Sequence, residues 1–204
     1  MNILLLDILA CPIDKHSPLN MYIFSINANS GEIERISSIY QKKNIRFIQD
    51  EKIINYFEKN GNIYLKDKII AETGIFKDYL KHILSKMDLL EYVVDETSNK
   101  IVSSFLKKIT TEVKNKITEL SLKLKNAKVE EILPDLYLIN KILLDLKVDT
   151  GILFCQKCNR WYPIYEGIPQ LLPDNQRNEK EEIERFGKLH DKLNQVLKGK
   201  LSII

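Results

Sequence analysis

The sequence predicts an α+β chain in which a small β domain is built from both chain ends around an inserted helical domain. Three observations carry this reading. Residues 19–26 and 152–164 are rich in branched and aromatic side chains, as strands are. Between them, from about residue 50 to residue 146, apolar residues recur at helical spacing. The cysteines fall only in the two β segments, at Cys11 and at Cys155 and Cys158. If they share a site, the two ends form one domain and roughly residues 45–148 form the insertion.

Bulk properties set the outer limits. A chain of 204 residues with 44% hydrophobic content has enough apolar surface for one domain or two small ones. The 31 basic and 28 acidic side chains leave a net charge of only +3. Nucleic-acid surfaces normally show clustered excess lysine and arginine, so charge gives no argument for one here. An odd number of cysteines, two of them in Cys-x-x-Cys, fits an intracellular metal or redox site rather than a disulfide framework. The apolar opening Ile3–Ala10 has no basic flank and is interrupted by Asp7, so no secretory leader is expected. No apolar run reaches the ~20 residues that span a bilayer. The expectation is a soluble, cytoplasmic chain without membrane association.

Taken in order, Leu4, Leu5, Ile8 and Leu9 lie on one face of a short helix that ends before Cys11-Pro12. Leu19–Ile26 alternates like a strand, and Asn27-Ala28-Asn29-Ser30-Gly31 is composed like a turn. Glu32–Ile39 is expected to return as a second strand, and Ile45–Ile48 as a third extended piece. Asp50 is expected to cap a helix carrying Ile53, Ile54 and Phe57, ended by Asn60-Gly61. Ile63–Ile70 is expected to be a hairpin or loop. Ile75 to Leu90 then shows a clear 3-4 repeat, and Ile101 to Leu124 a second one. A third helix is expected to start near Pro134, since proline suits a first turn. Strand signals return at Ile152–Phe154 and Trp161–Ile164. Beyond Pro173 a thin stripe through Ile183, Phe186, Leu189, His190, Leu193 and Leu197 predicts an amphipathic helix. The expected boundaries are 1–45 with 149–175 for the β domain, 46–148 for the helical domain and 176–204 for the C-terminal segment.

The cysteines have the spacing of zinc-ribbon knuckles, in which two short turns bring four ligands into a tetrahedron. One knuckle is complete, Cys155-Gln156-Lys157-Cys158. The other is Cys11-Pro12-Ile13-Asp14, with aspartate where the second thiolate belongs. A carboxylate also ligates zinc, so the candidate ligands are Cys11, Asp14, Cys155 and Cys158, with His16 as an alternative fourth. The competing reading is a metal-free knuckle held by packing, with Cys155 and Cys158 oxidised. Thioredoxin-like chemistry is disfavoured, because there the pair opens a helix and here a strand comes next. No base is poised for a catalytic zinc, and His82 and His190 read as structural or surface residues. Phosphate-loop, serine-hydrolase and metalloprotease motifs are all missing.

The residues Leu5–Pro12, Leu153–Cys158 and Tyr162–Pro173 together resemble the zinc-ribbon methyltransferase-activator family, of archaeal type. Its members are small non-catalytic partners of tRNA, rRNA and release-factor methyltransferases. The resemblance covers about 35 residues at the two ends and is most specific in Tyr162-Pro163-Ile164-Tyr165-Glu166-Gly167-Ile168-Pro169. It implies a zinc-ribbon-like β domain, a heterodimer with a methyltransferase subunit, indirect contact with tRNA, and no S-adenosylmethionine bound by this chain alone. The residues expected to face the partner are Trp161, Tyr162, Ile164, Ile168, Pro169, Leu171 and Leu172. A small domain cannot bury all of these, and an apolar strip at a strand edge invites strand addition. A rival reading is an RNA-binding ribbon that uses Lys157, Arg160 and Trp161 as a basic-aromatic patch.

Overall fold

A computed structural model describes residues 1–27, 29–70, 72–88, 90–92, 100–122 and 128–186 of the chain. The fold is α+β. After a 3-10 turn at Ile3–Asp7, the elements in chain order begin with β1 (Asn20–Asn27), α1 (Ser30–Gln41) and α2 (Ile45–Asp50). Next come β2 (Asn55–Lys59), β3 (Asn62–Lys66), β4 (Gly74–Ile75), α3 (Phe76–Asp88) and β5 (Leu90–Tyr92). After these come α4 (Lys100–Lys108), a π segment (Ile109–Val113), α5 (Lys114–Leu122) and α6 (Val129–Asp145). The chain returns to strand with β6 (Lys147–Phe154), β7 (Trp161–Tyr165) and β8 (Ile168–Pro169), and then forms α7 (Glu179–Phe186).

Two compact units result. One comprises Met1–Asn27, Leu89–Ser98 and Lys147–Ile204, and the other Ala28–Asp88 and Asn99–Leu146. The first is a five-stranded sheet in the order β5-β1-β6-β7-β8, antiparallel except where β5 runs parallel to β1. Its register decides where the site lies. Asn20, which opens β1, pairs with Phe154, which closes β6, and Phe154 pairs with Trp161 on β7. The segments just before β1 and just after β6 therefore emerge at the same end of the sheet, and they carry Cys11 and Cys155. Met21, Phe24, Leu153, Trp161, Tyr162 and Ile164 are buried in this unit. Gly151 is forced by proximity, since a Cβ there would lie 2.6 Å from the carbonyl oxygen of Tyr22. Gly167 has φ +77°, in the left-handed region glycine favours.

The second unit is centred on α6, whose residues Ile132, Leu133, Leu136, Tyr137, Ile139, Asn140 and Leu143 are all buried. A helix buried on nearly every side and mostly apolar belongs in a core, and α1, α2 and the π segment pack against it. The π segment has a reason in the sequence. Phe105, Ile109, Val113 and Ile117 are buried at four-residue spacing, which outruns the ~3.6 residues of an α turn. Widening one turn keeps the stripe on one face. A polar node ties β3, α3 and α6 together. Buried Asp67 accepts from Ile69 N–H at 2.9 Å, Ile70 N–H and Tyr79 O–H at 2.5 Å each, and Asn140 Nδ2 at 2.9 Å.

Four local expectations are corrected. Glu32–Ile39 is not a strand but part of α1, because Asn29 caps a helix by accepting from the Gly31 and Glu32 N–H groups. Ile45–Ile48 is likewise helical, capped by the Asn44 side chain. The helix expected from Asp50 is instead the hairpin β2–β3, with Asn60 at φ +54° and Gly61 at φ +72° forming its two-residue turn. Pro134 does not start α6 but lies inside it, and Lys116 Nζ donates to the nearby Glu131 carbonyl at 3.1 Å. Residues 28–45 accordingly fall in the second unit. Residues 187–204, including Leu189, His190, Leu193 and Leu197 of the expected C-terminal stripe, lie outside the described residues.

Candidate metal centre

The two knuckles are built on one backbone plan. Cys11 N–H donates to the His16 carbonyl at 2.9 Å, and Cys155 N–H donates to the Arg160 carbonyl at 2.8 Å. Each bond spans five residues. In each turn the residue four beyond the first cysteine has positive φ, Lys15 at 59° and Asn159 at 58°. The residue three beyond it is Asp14 in one knuckle and Cys158 in the other, so Asp14 stands where a second thiolate would stand.

The turns bring four donors together. One ligand atom from each of Cys11, Asp14, Cys155 and Cys158 lies within 4.8 Å of every other. Cys11 Sγ is 3.6 Å from Cys158 Sγ, and Cys155 Sγ is 3.6 Å from both Asp14 carboxylate oxygens. A tetrahedral ion bound at about 2.3 Å to sulfur and about 2.0–2.2 Å to oxygen needs S···S near 3.8 Å and S···O near 3.5 Å. The donor set therefore fits one metal ion. His16 contributes through its backbone: its N–H donates to Asp14 Oδ1 at 3.0 Å, in addition to the carbonyl bonded by Cys11. Its ring is not in the cluster.

The surroundings are prepared for negative charge. Tyr162 O–H lies 3.1 Å from Cys11 Sγ, and burial pushes its pKa well up, so it can donate to a thiolate there. The His16 N–H holds the Asp14 carboxyl down at about 2. Burial pushes the Cys155 thiol up to about 12. Cys158 is also opposed by burial, but the Arg160 backbone N–H and guanidinium outweigh it and lower its pKa. Such crowded thiols suit a cation, which replaces their protons.

Arg160 is itself held by Asp174, with Nε–Oδ1 at 3.0 Å and Nη2–Oδ2 at 2.8 Å. Behind the knuckle, the guanidinium of Arg177 stacks on Trp161 at 4.8 Å and on Tyr162 at 5.5 Å, and it pairs with Glu182 at 2.5 Å. The residues expected to face a partner therefore divide. Trp161 is 1% exposed, and Tyr162 and Ile164 are also buried. Ile168 is 60% exposed at the β8 edge of the sheet, with Pro169, Leu171 and Leu172 half-buried. Three further exposed apolar residues in this unit, Leu5, Ile8 and Ile13, lie on or near the N-terminal turn and the first knuckle. Sequence reasoning does not find them, because the same residues also suit a buried helical face. The basic-aromatic patch of Lys157, Arg160 and Trp161 does not form, since Trp161 is covered and Arg160 is engaged. His82 is on the exposed side of α3, and His190 lies outside the described residues.

Two four-residue knuckles, Cys11–Asp14 and Cys155–Cys158, joined through a β sheet whose strands β1 and β6 are separated in sequence by the helical unit, define a ribbon-type protein with a helical insertion. The chain matches the family model of Trm112p-like proteins over residues 2–167 and belongs to that family, the methyltransferase activators. No curated protein and no solved structure matches it. No helix among the described residues is long and apolar enough to cross a membrane.

Proposed function

We propose that this chain is a non-catalytic subunit that binds, stabilises and activates an S-adenosylmethionine-dependent methyltransferase acting on tRNA or translation factors. The partner supplies the methyl-donor site, and this chain binds no donor alone. Family membership over residues 2–167 carries the reading. Exposed Ile8 and Ile168 support it, because apolar side chains left open on a small unit suit a partner surface. In this reading Ile168, Pro169, Leu171 and Leu172 make direct contact, and Leu5, Ile8 and Ile13 add exposed apolar surface elsewhere on the same unit. Trp161, Tyr162 and Ile164 support that surface from within.

Zinc is the proposed ion, held by Cys11, Asp14, Cys155 and Cys158. The three sulfur donors favour it over hard cations, which select oxygen ligands. It supplies structure, fixing the two knuckles to each other.

The test is co-expression of the chain with each methyltransferase of its source organism. One or more should gain solubility or activity and co-purify at equal stoichiometry, and Ile168→Asp should abolish co-purification while leaving the thermal midpoint of the isolated chain unchanged. Failure of every methyltransferase to co-purify would overturn the proposal.

A further inference from the structure

The helical unit carries an open sheet face unrelated to the metal centre. Its three strands run in the order β2-β3-β4. Residues directly opposite one another share a face. Phe57 pairs with Tyr64 and Tyr64 with Ile75, while Asn55 pairs with Lys66 and Lys59 with Asn62. These positions form one face. The other face carries Leu65, fully buried, and Tyr56, whose hydroxyl bonds Glu130 at 2.8 Å.

On the open face the rings of Phe57 and Tyr64 are stacked, with centroids 5.4 Å apart and planes 11° from parallel. Ile75 lies beyond Tyr64 on β4. Phe57 is on the edge strand, so its outer ring face has no neighbouring strand, and the residue is 50% exposed. The face holds two lysines and no acidic side chain. Among the described residues neither Lys59 nor Lys66 forms an ion pair. Asn55 and Lys59 flank Phe57 two residues away on either side, about 7 Å each way along the strand.

We propose that this face binds single-stranded nucleic acid, with a base stacking on the open side of Phe57 to extend the Phe57–Tyr64 stack. Lys59 and Lys66 meet backbone phosphates, and Asn55 or Asn62 reaches a base edge. Aromatic rings on a sheet flanked by lysines recognise unstacked bases without strong sequence preference. A duplex offers no free base face along its length. A purely apolar partner would leave both lysines without a counter-charge. The face lies wholly in the helical unit, so its test is independent of methyltransferase binding.

The experiment is fluorescence anisotropy of the full chain with labelled oligouridylate, oligodeoxythymidylate and a duplex of equal length. Either single strand should bind in preference to the duplex, and the difference between the two reports any contact with the 2′-hydroxyl. Phe57→Ala and Phe57→Leu should each weaken binding about 5- to 100-fold. Phe57→Trp should retain binding, and its new fluorescence should quench on saturation. Lys59→Gln and Lys66→Gln should each reduce the salt slope by about 1. Thermal unfolding of each variant confirms the fold, and the Phe57→Trp protein guards against a loss caused by misfolding. Equal affinity for duplex and single strand, or unchanged binding by Phe57→Leu, would overturn the proposal. So would the absence of binding to either single strand at low salt, the result expected if the face instead docks a protein.

Discussion

Arg177→Met removes the charge that clamps the aromatic side of the β unit while leaving an aliphatic stem of similar length. In the native chain the Arg177 side chain is 3% exposed, over Trp161 and Tyr162, and paired with Glu182. A desolvated cation–π contact contributes about 2 kcal/mol. Leaving the half-buried Glu182 without its charged partner costs about a further 1–3 kcal/mol. The expected loss is therefore about 3–5 kcal/mol, which at a urea slope of about 2 kcal/mol/M moves the midpoint down by roughly 1.5–2.5 M. Trp161 is the only tryptophan, so its fluorescence tracks this unit in the denaturation curve. Adding Glu182→Gln to Arg177→Met should recover about 1 kcal/mol, because the stranded carboxylate is gone. A midpoint within about 0.3 M of the native value would show that the Arg177 contacts do not hold this unit together. It would mean that residues 170–186, all of them beyond the residues matched to the family, rest on the sheet without stabilising it.

Further outcomes are expected at other sites. Metal analysis of protein purified without a histidine tag should give one zinc per chain, and chelation should lower the thermal midpoint read from Trp161. Cys158→Ser should lose the ion, whereas Asp14→Cys should keep it and strengthen the thiolate charge-transfer absorption of the cobalt-substituted protein. Gly151→Ala places a Cβ against backbone, not a movable side chain. It should destabilise the chain by about 2–4 kcal/mol in chemical denaturation. Tyr79→Phe removes one of four donors to buried Asp67. It should cost about 1.5–3 kcal/mol by the same assay.

The ends of the chain are legible because their constraints are chemical. Cys11, Cys155 and Cys158 at knuckle spacing, with strand-forming residues beside them, leave few ways to assemble. The stretch from Asn27 to Ile70 is harder to read because its punctuation is ambiguous. Asn29-Ser30-Gly31 has turn composition, yet asparagine is also a strong helix cap, and the residues after it decide between the two. Ile33, Ile36 and Ile39 are buried on one side of α1, a three-residue spacing that favours helix over strand. Asn60-Gly61 reads equally as a helix end or a hairpin turn, and Tyr56-Phe57 before it with Ile63-Tyr64 after it decides for the hairpin. The burial of Trp161 is not legible at all. It is covered by Arg177, sixteen residues downstream and surrounded by polar sequence that shows no apolar signal.

Asp14 changes the centre less than its residue type suggests. The two knuckles share their hydrogen bond and their positive-φ residue, so the backbone presents position 14 as it presents position 158. Three thiolates and one carboxylate carry the same formal charge as four thiolates, and around a divalent ion either set leaves two negative charges. The surroundings that answer this charge are the same in both cases: the Arg160 guanidinium toward Cys158, the Tyr162 hydroxyl toward Cys11, and the His16 N–H toward Asp14 itself. What differs is softness. An oxygen donor binds zinc with less covalency than sulfur and exchanges with water more readily. The knuckle of Cys11 should therefore open before that of Cys155 when the ion is withdrawn. The exposed Ile13 lies inside that knuckle, so withdrawing the proposed ion should reach the proposed partner surface first at Ile13.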